Sequence, residues 1–260
     1  MEKSIADKHI WNEGYQKKKD IFFRLGRTRQ NAAFREIVKY VDKIVKSYFA
    51  RPSQMRILEL GGGNSDWLSY FGEKYHCELW AVDYSEKGCE LLWQRLKRKQ
   101  LSCKIINKDF YDLNPSDIDK PIDILFSVGL LEHFSNRREI YELALRYLAK
   151  GGFFVAVVPN LNKLNLRWCL IVNPSLMNWH LRLRMSDIIR ELRSHGFQDV
   201  QGAHIGGLRL FADSENLFFS ITKKSVNLAG EVISRIKDIS SEKISPHFVV
   251  SGRRDYEFHR

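Results

Sequence analysis

The chain has 260 residues, 44% of them hydrophobic, which is ample for one α/β domain with additions and argues against a disordered tail protein. Lys and Arg outnumber Asp and Glu by 42 to 31, and the net charge of +11 suits an anionic partner: a phosphorylated sugar, a lipid-linked phosphate, a membrane headgroup or a nucleic acid. The polar N-terminus is unlike a secretory signal, no apolar run is long enough to span a bilayer, and Cys77, Cys89, Cys103 and Cys169 form no C-x-x-C pair. A soluble cytoplasmic protein with reduced thiols and no membrane span is the expectation. The basic runs are short and scattered (Lys17–Lys19, Arg95–Lys99, Arg253–Arg254), as on solvated faces rather than along a nucleic-acid track.

Residues 1–29 are polar with embedded Trp11, Tyr15, Phe22 and Phe23, and read either as short helices or as a frayed arm. From 30 to 49, Phe34, Val38, Val41, Val45 and Tyr48 recur at three- and four-residue spacing, one apolar helical face suited to packing on a sheet. Residues 1–50 thus form an N-terminal helical cap, closed by Arg51-Pro52-Ser53. Ile57, Leu58 and Leu60 then form a short apolar run that stops at Gly61, Gly62 and Gly63, a buried strand entering a tight turn. Asn64, Ser65 and Asp66 offer capping oxygens before Trp67 and Leu68. Strand, glycine loop and helix start make a place where a ligand meets bare backbone N–H groups. A dinucleotide fingerprint needs a third spaced glycine where this chain has Asp66, and Glu59 and Asp66 should repel phosphates. A cationic ligand fits better.

An acidic strand residue followed by a glycine-rich loop resembles the first motif of the class I S-adenosylmethionine (SAM)-dependent methyltransferases. That resemblance covers residues 55–160 firmly and the rest loosely. It implies an α/β, Rossmann-like, seven-stranded and mostly parallel sheet with helices on both faces, with residues 51–260 as the methyltransferase domain. It also implies SAM as cofactor, held by Glu59 and Gly61–Gly63.

The second strand, Cys77 to Asp83, ends in a carboxylate twenty residues beyond the glycine loop. That spacing places Asp83 beside the loop, where it can accept from both ribose hydroxyls, with Tyr84 against the adenine. A helix over 86–100 and a third strand over 102–107 follow. At that strand's end the resemblance implies that Asp109 accepts from the adenine amine and Phe110 stacks on the ring; an ordinary strand-end turn is the competing view. Residues 121–129 read as the fourth strand. Its tail, Ser127-Val-Gly-Leu-Leu-Glu-His-Phe134, resembles a small-molecule methyltransferase motif in which the backbone at Ser127 and Gly129 meets the methionine end of SAM. Glu132 and His133 should open the next helix at the crevice mouth. His133, ordinarily near pKa ~6.5, is the candidate general base, against a structural capping role.

After the fifth strand, Lys150 to Asn160, the pattern over 160–185 is irregular and reads as a lid insertion. Its Asn160, Asn162, Asn165, Trp168, Asn178, Trp179 and His180 are types that bind polyhydroxylated rings, and equally types that pack a small lid. A helix over 185–195, a strand over 198–206, an amphipathic surface or interface helix within 220–239 and a final strand over 245–254 complete the chain. The resemblance implies that the last strand is antiparallel and inserts between strands five and six.

The expected activity is methyl transfer to a small molecule or a carbohydrate, with a sugar hydroxyl preferred because the lid and C-terminal part resemble methyltransferases of surface-polysaccharide pathways. No Cys/His ligand spacing is evident, so metal-independent transfer is expected. Alternatives are an RNA methyltransferase, a non-catalytic SAM-binding regulator and, more distantly, a dehydrogenase.

Overall fold

Alternation along the first strand sets the layering. In β1 (Arg56–Leu60), Leu58 and Leu60 point into one hydrophobic core and Ile57 into the other, because successive strand side chains face opposite ways. The computed structural model describes residues 31–255, so the readings placed on Trp11, Tyr15, Phe22 and Phe23 lie outside the described residues. The remaining strands are β2 (Glu78–Val82), β3 (Cys103–Ile106), β4 (Ile122–Val128), β5 (Leu148–Pro159), β6 (Phe197–Ile205) and β7 (His247–Arg254). They form one sheet in the order β3-β2-β1-β4-β5-β7-β6. The first five pair in parallel, and β7 runs antiparallel to both β5 and β6. This is the seven-stranded Rossmann-like sheet the sequence predicts, including the inserted last strand.

Helix α1 (Ala32–Tyr48) starts where the Asn31 side chain accepts from the Phe34 N–H at 2.8 Å, a standard N-cap. Its apolar face joins α2 (Trp67–Tyr75) and α3 (Glu86–Arg98) over one side of the sheet, with Phe34 stacked on Trp67 at 4.8 Å. Helices α4 (Arg138–Tyr147) and α6 (Met185–Ser194) cover the other side. The predicted packing of the 30–49 helix on the sheet is therefore observed.

The stretch 160–185 is more regular than its sequence suggests. It holds α5 (Lys163–Val172) and a 3₁₀ turn over Pro174–Asn178. Leu164, Trp168, Cys169 and Val172 share one helical face and build a separate small core with Leu161, Leu176, Leu210 and Ala212. Phe219 and Val226 of α7 (Leu217–Ile236) close that core. Helix α7 is the predicted amphipathic helix, begun earlier by the Asn216 cap. It is tied to α1 by Arg35 and Glu231 at 2.5 Å, and it exposes Leu217, Phe218, Leu228 and Ile236. No helix among the described residues is long and apolar enough to cross a membrane. All four cysteines are free.

The strand order reverses between β1 and β4, whose connections leave to opposite sides. A crevice opens at their carboxyl ends, the position where such sheets bind ligands.

Candidate active site

The glycine loop is folded by its backbone and its neighbours. Gly61 adopts φ +71° and donates its N–H to the Val82 carbonyl at 2.9 Å, so the loop bends across the end of β2. Gly63 donates to Asp83 Oδ2 at 2.7 Å. A Cβ at Gly63 would sit 2.6 Å from that same oxygen, so only glycine lets the carboxylate reach the loop. Ser85 N–H donates to Asp83 Oδ1 at 2.7 Å. Asp83 therefore clamps the loop to the next turn, and its oxygens keep further lone pairs for a ligand. Burial raises its pKa to about 6, against the two backbone donors that lower it. Tyr84 follows at the same edge, half-buried.

Glu59 lies beneath the loop, 2% exposed, and accepts from Ser65 Oγ at 2.5 Å. Burial pushes its pKa up to about 8; the Ser65 hydrogen bond opposes this, and the Asp83 and Asp66 charges add to it. Two buried carboxyls with raised pKa values make a site that favours an added positive charge. Gly62 sits over Glu59, where a Cβ would come within 3.3 Å of the Glu59 Cβ. Asp66 corrects the sequence reading: its carboxylate is paired with Arg95, so it does not confront a ligand as a bare charge. The same guanidinium donates to the Asn64 carbonyl at 2.9 Å and to Asn64 Oδ1 at 2.7 Å, holding that residue at φ +56°.

At the end of β3, Asp109 caps a 3₁₀ turn by accepting from Tyr111 N–H at 3.1 Å. Phe110 corrects its assigned role. Its ring is buried between Tyr111 at 4.2 Å and Phe134 at 5.4 Å, as part of a sheet core rather than a stacking platform. At the end of β4, Ser127 is 1% exposed and its Oγ has no hydrogen-bond partner among the described residues. Gly129 turns the chain at φ +65° and donates to the Val157 carbonyl at 2.9 Å. A glycine cradle, two buried carboxyls and an orphaned hydroxyl around one crevice match what a sulfonium nucleoside with an amino-acid tail requires.

The acceptor side departs furthest from expectation. Glu132 and His133 lie in a 3₁₀ turn over Leu131–His133, and the next helix begins only at Arg138. His133 is 2% exposed rather than at an open mouth. Burial lowers its pKa to about 3, helped by the neighbouring His180 and opposed by the Trp179 and Gly129 backbone, so it does not titrate near its ordinary value. Its Nδ1 lies 2.6 Å from the Trp179 carbonyl. The His180 ring meets it edge-on with centroids 4.6 Å apart. His180 Nδ1 lies 3.0 Å from the Leu176 carbonyl. Glu132, His133 and His180 thus converge, with one ligand-type atom from each within 4.8 Å of the others.

Other lid residues have structural work. Trp168 donates Nε1–H to the Ala212 carbonyl at 2.9 Å and packs on Phe219, so it belongs to the lid core and not to an acceptor surface. Asn160 donates to the carbonyls of Glu242 at 2.9 Å and Ser245 at 2.8 Å. Asn162 donates to the Leu183 carbonyl at 2.9 Å, and Asn165 accepts from Phe211 N–H at 2.8 Å. These amides lash the insertion to neighbouring loops. Trp179 is half-buried and meets His133 through its carbonyl, and Asn178 is exposed.

Residues 57–152 match the family described as a methyltransferase domain. Over those residues the chain carries a methyltransferase domain. The chain is similar in fold to a SAM-dependent methyltransferase from Archaeoglobus fulgidus, at 17% identity and TM-score 0.52, over 95% of this chain and 100% of the other. It is similar to the N-methyltransferase NodS from Bradyrhizobium japonicum, solved with S-adenosylhomocysteine, at 14% identity and TM-score 0.58, over 96% and 99% of the two chains. It also aligns with phosphoethanolamine N-methyltransferase 2 from Haemonchus contortus, solved with SAM, at 13% identity and TM-score 0.52, through 84% of this chain; it spans about half, 52%, of that protein. No curated protein matches the sequence.

Two positions at the crevice escape sequence reasoning. Arg95 reads as one more basic residue on an amphipathic helix, yet it pairs across 29 positions with the loop's Asp66. Glu132 reads as a helix-start residue, yet it is the buried carboxyl between two histidines.

Proposed function

We propose that the protein transfers the methyl group of SAM to a small-molecule acceptor, with a sugar hydroxyl as the favoured acceptor. The observation that carries this reading is the meeting of Glu59, Gly61–Gly63, Asp83, Ser127 and Gly129 at the carboxyl edge of β1, β2 and β4. The bound cofactor supplies an electrophilic methyl on a sulfonium. The protein's own residues hold and orient. Gly61–Gly63 leave backbone free for close approach, and Asp83 accepts from hydroxyls with lone pairs not used by Gly63 and Ser85. Asp109, at the end of β3, would be a further acceptor on the adenine side. Alignment of the acceptor oxygen and exclusion of water supply the rate, since well-oriented reactants gain up to about 7–11 kcal/mol.

The acceptor lies between the β4 end and the insertion. The Glu132–His133–His180 group, tied to the insertion through the Trp179 carbonyl, would take up the proton that leaves the acceptor hydroxyl. Small-molecule acceptors accord with the Haemonchus contortus neighbour, whose acceptor is phosphoethanolamine, and the charge of +11 suits an anionic sugar. Turnover of a panel of phosphorylated and nucleotide-linked sugars with SAM, read as S-adenosylhomocysteine released, tests the reading. SAM binding without turnover of any sugar or small amine removes the acceptor assignment.

A further inference from the structure

We propose that the outer faces of α5 and α7 dock the protein on an anionic lipid surface, with α7 lying in the plane of the interface. Helix α7 carries apolar residues on two sides, and the fold covers one of them. Phe219 and Val226 enter the small core beside α5. Gly230 packs so closely on Leu208 that a Cβ there would overlap the Leu208 carbonyl oxygen. The Leu210 N–H donates to Asn227 Oδ1 at 2.8 Å. The helix is therefore held along its length, and its outer face is not a frayed end.

That outer face is one stripe. Leu217, Ile221, Leu228, Val232 and Ile236 recur at spacings of four and seven residues, so they share a side. Their exposures run from 53% at Val232 to 84% at Ile236. Water-facing helix positions are ordinarily polar, so this stripe calls for a cover. Helix α5, joined to α7 through Trp168 and Phe219, repeats the pattern. Its Lys163, Arg167, Leu170 and Ile171 fall on one exposed side.

Charge decides what the cover is. Lys224 and Arg235 lie in the stripe and Lys237 at its end, all exposed, with Lys163 and Arg167 beside them on α5. Glu231 is the one acid in either helix; Arg35 holds it at 2.5 Å and Arg235 approaches it at 3.4 Å. Ahead of α7, Asp213 pairs with Lys223 at 2.7 Å, and Glu215 and Asp238 lie beyond the helix ends. A second copy would set these cations against themselves across a two-fold axis. The first 30 residues of the chain carry eight Lys and Arg against four Asp and Glu, which is the same sign again. Anionic headgroups take both parts of the face: the aliphatic side chains enter the headgroup boundary, and the cations meet phosphates. The stripe is mainly aliphatic, so it offers nucleic-acid bases little to stack on.

The full chain is sedimented with vesicles of phosphatidylcholine alone and of phosphatidylcholine mixed in equal parts with phosphatidylglycerol. Binding to the mixed vesicles should be at least about tenfold tighter and should weaken as salt rises. The pair Ile221→Glu, Leu228→Glu should weaken it at least about tenfold, whereas Trp93→Glu, at an exposed apolar residue of α3, should leave it unchanged. Circular dichroism checks that each variant is folded. Should the acidic pair misfold, Arg167→Ala with Lys224→Ala must lower binding to the mixed vesicles about tenfold. No binding to mixed vesicles, equal binding to both kinds, or binding indifferent to both variant pairs overturns the proposal. So does a dimer in solution that the acidic pair dissociates, if vesicles do not compete with it.

Discussion

Gly63 and Asp83 share one hydrogen bond of 2.7 Å that joins the glycine loop of β1 to the carboxyl end of β2. The bond exists because position 63 has no Cβ. Gly63→Ala should push the carboxylate away and lower SAM affinity by at least about tenfold, while Asp83→Ala should cost about 1.5–3 kcal/mol of binding. Calorimetry on both variants checks this; wild-type affinity in Asp83→Ala would refute the clamp as the cofactor's partner.

Asp83 should also impose a pH dependence. The ionised carboxylate is the form that accepts from hydroxyls, and burial raises its pKa to about 6. Acidification protonates it, so SAM affinity should be full near pH 8 and fall as pH drops through 6. The Asp83→Asn variant should bind weakly and lose this inflection. An unchanged profile in that variant would move the titration to another group.

Arg95 stands behind the loop, bound to Asp66 and Asn64. Arg95→Ala leaves a partly buried carboxylate uncompensated and releases the left-handed Asn64. A stability loss of about 1–3 kcal/mol with weaker SAM binding is expected, from urea unfolding and calorimetry together. The double variant Arg95→Ala, Asp66→Asn should recover part of the stability, since the orphaned charge is gone.

Phe110 and Trp168 should behave as core residues. Phe110→Leu should lower stability by about 1 kcal/mol and leave SAM affinity within about twofold. Trp168→Ala should cost about 3–5 kcal/mol and loosen the insertion before the sheet, visible as early hydrogen exchange over 160–180. A large SAM defect with normal stability in Phe110→Leu would restore the stacking role.

His133 tests the acceptor side of the proposal. His133→Ala should reduce turnover more than SAM affinity, because the ring meets Trp179 and His180 of the insertion as well as the Gly129 backbone. Separate measurements of kcat and SAM affinity decide it; a proportionate loss of both would place His133 on the cofactor side.

The sheet and its ligand edge were legible in the linear chain. Short apolar runs ending in glycine or acid, such as Ile57–Gly63 and Leu79–Asp83, are local signals, and local backbone preference dictates strand, turn and helix start. What a polar side chain does once the chain closes is not local. Asp66 reads as a free charge because Arg95 lies 29 residues away, and only the packing of α3 on the loop brings them together. Phe110, Trp168 and the asparagines of the insertion have the composition of a binding surface, and burial alone assigned them to cores and lashings. The convergence of Glu132, His133 and His180 has no spacing signature at all. It depends on the insertion folding back across the end of β4, a long-range contact that residue order cannot encode by periodicity.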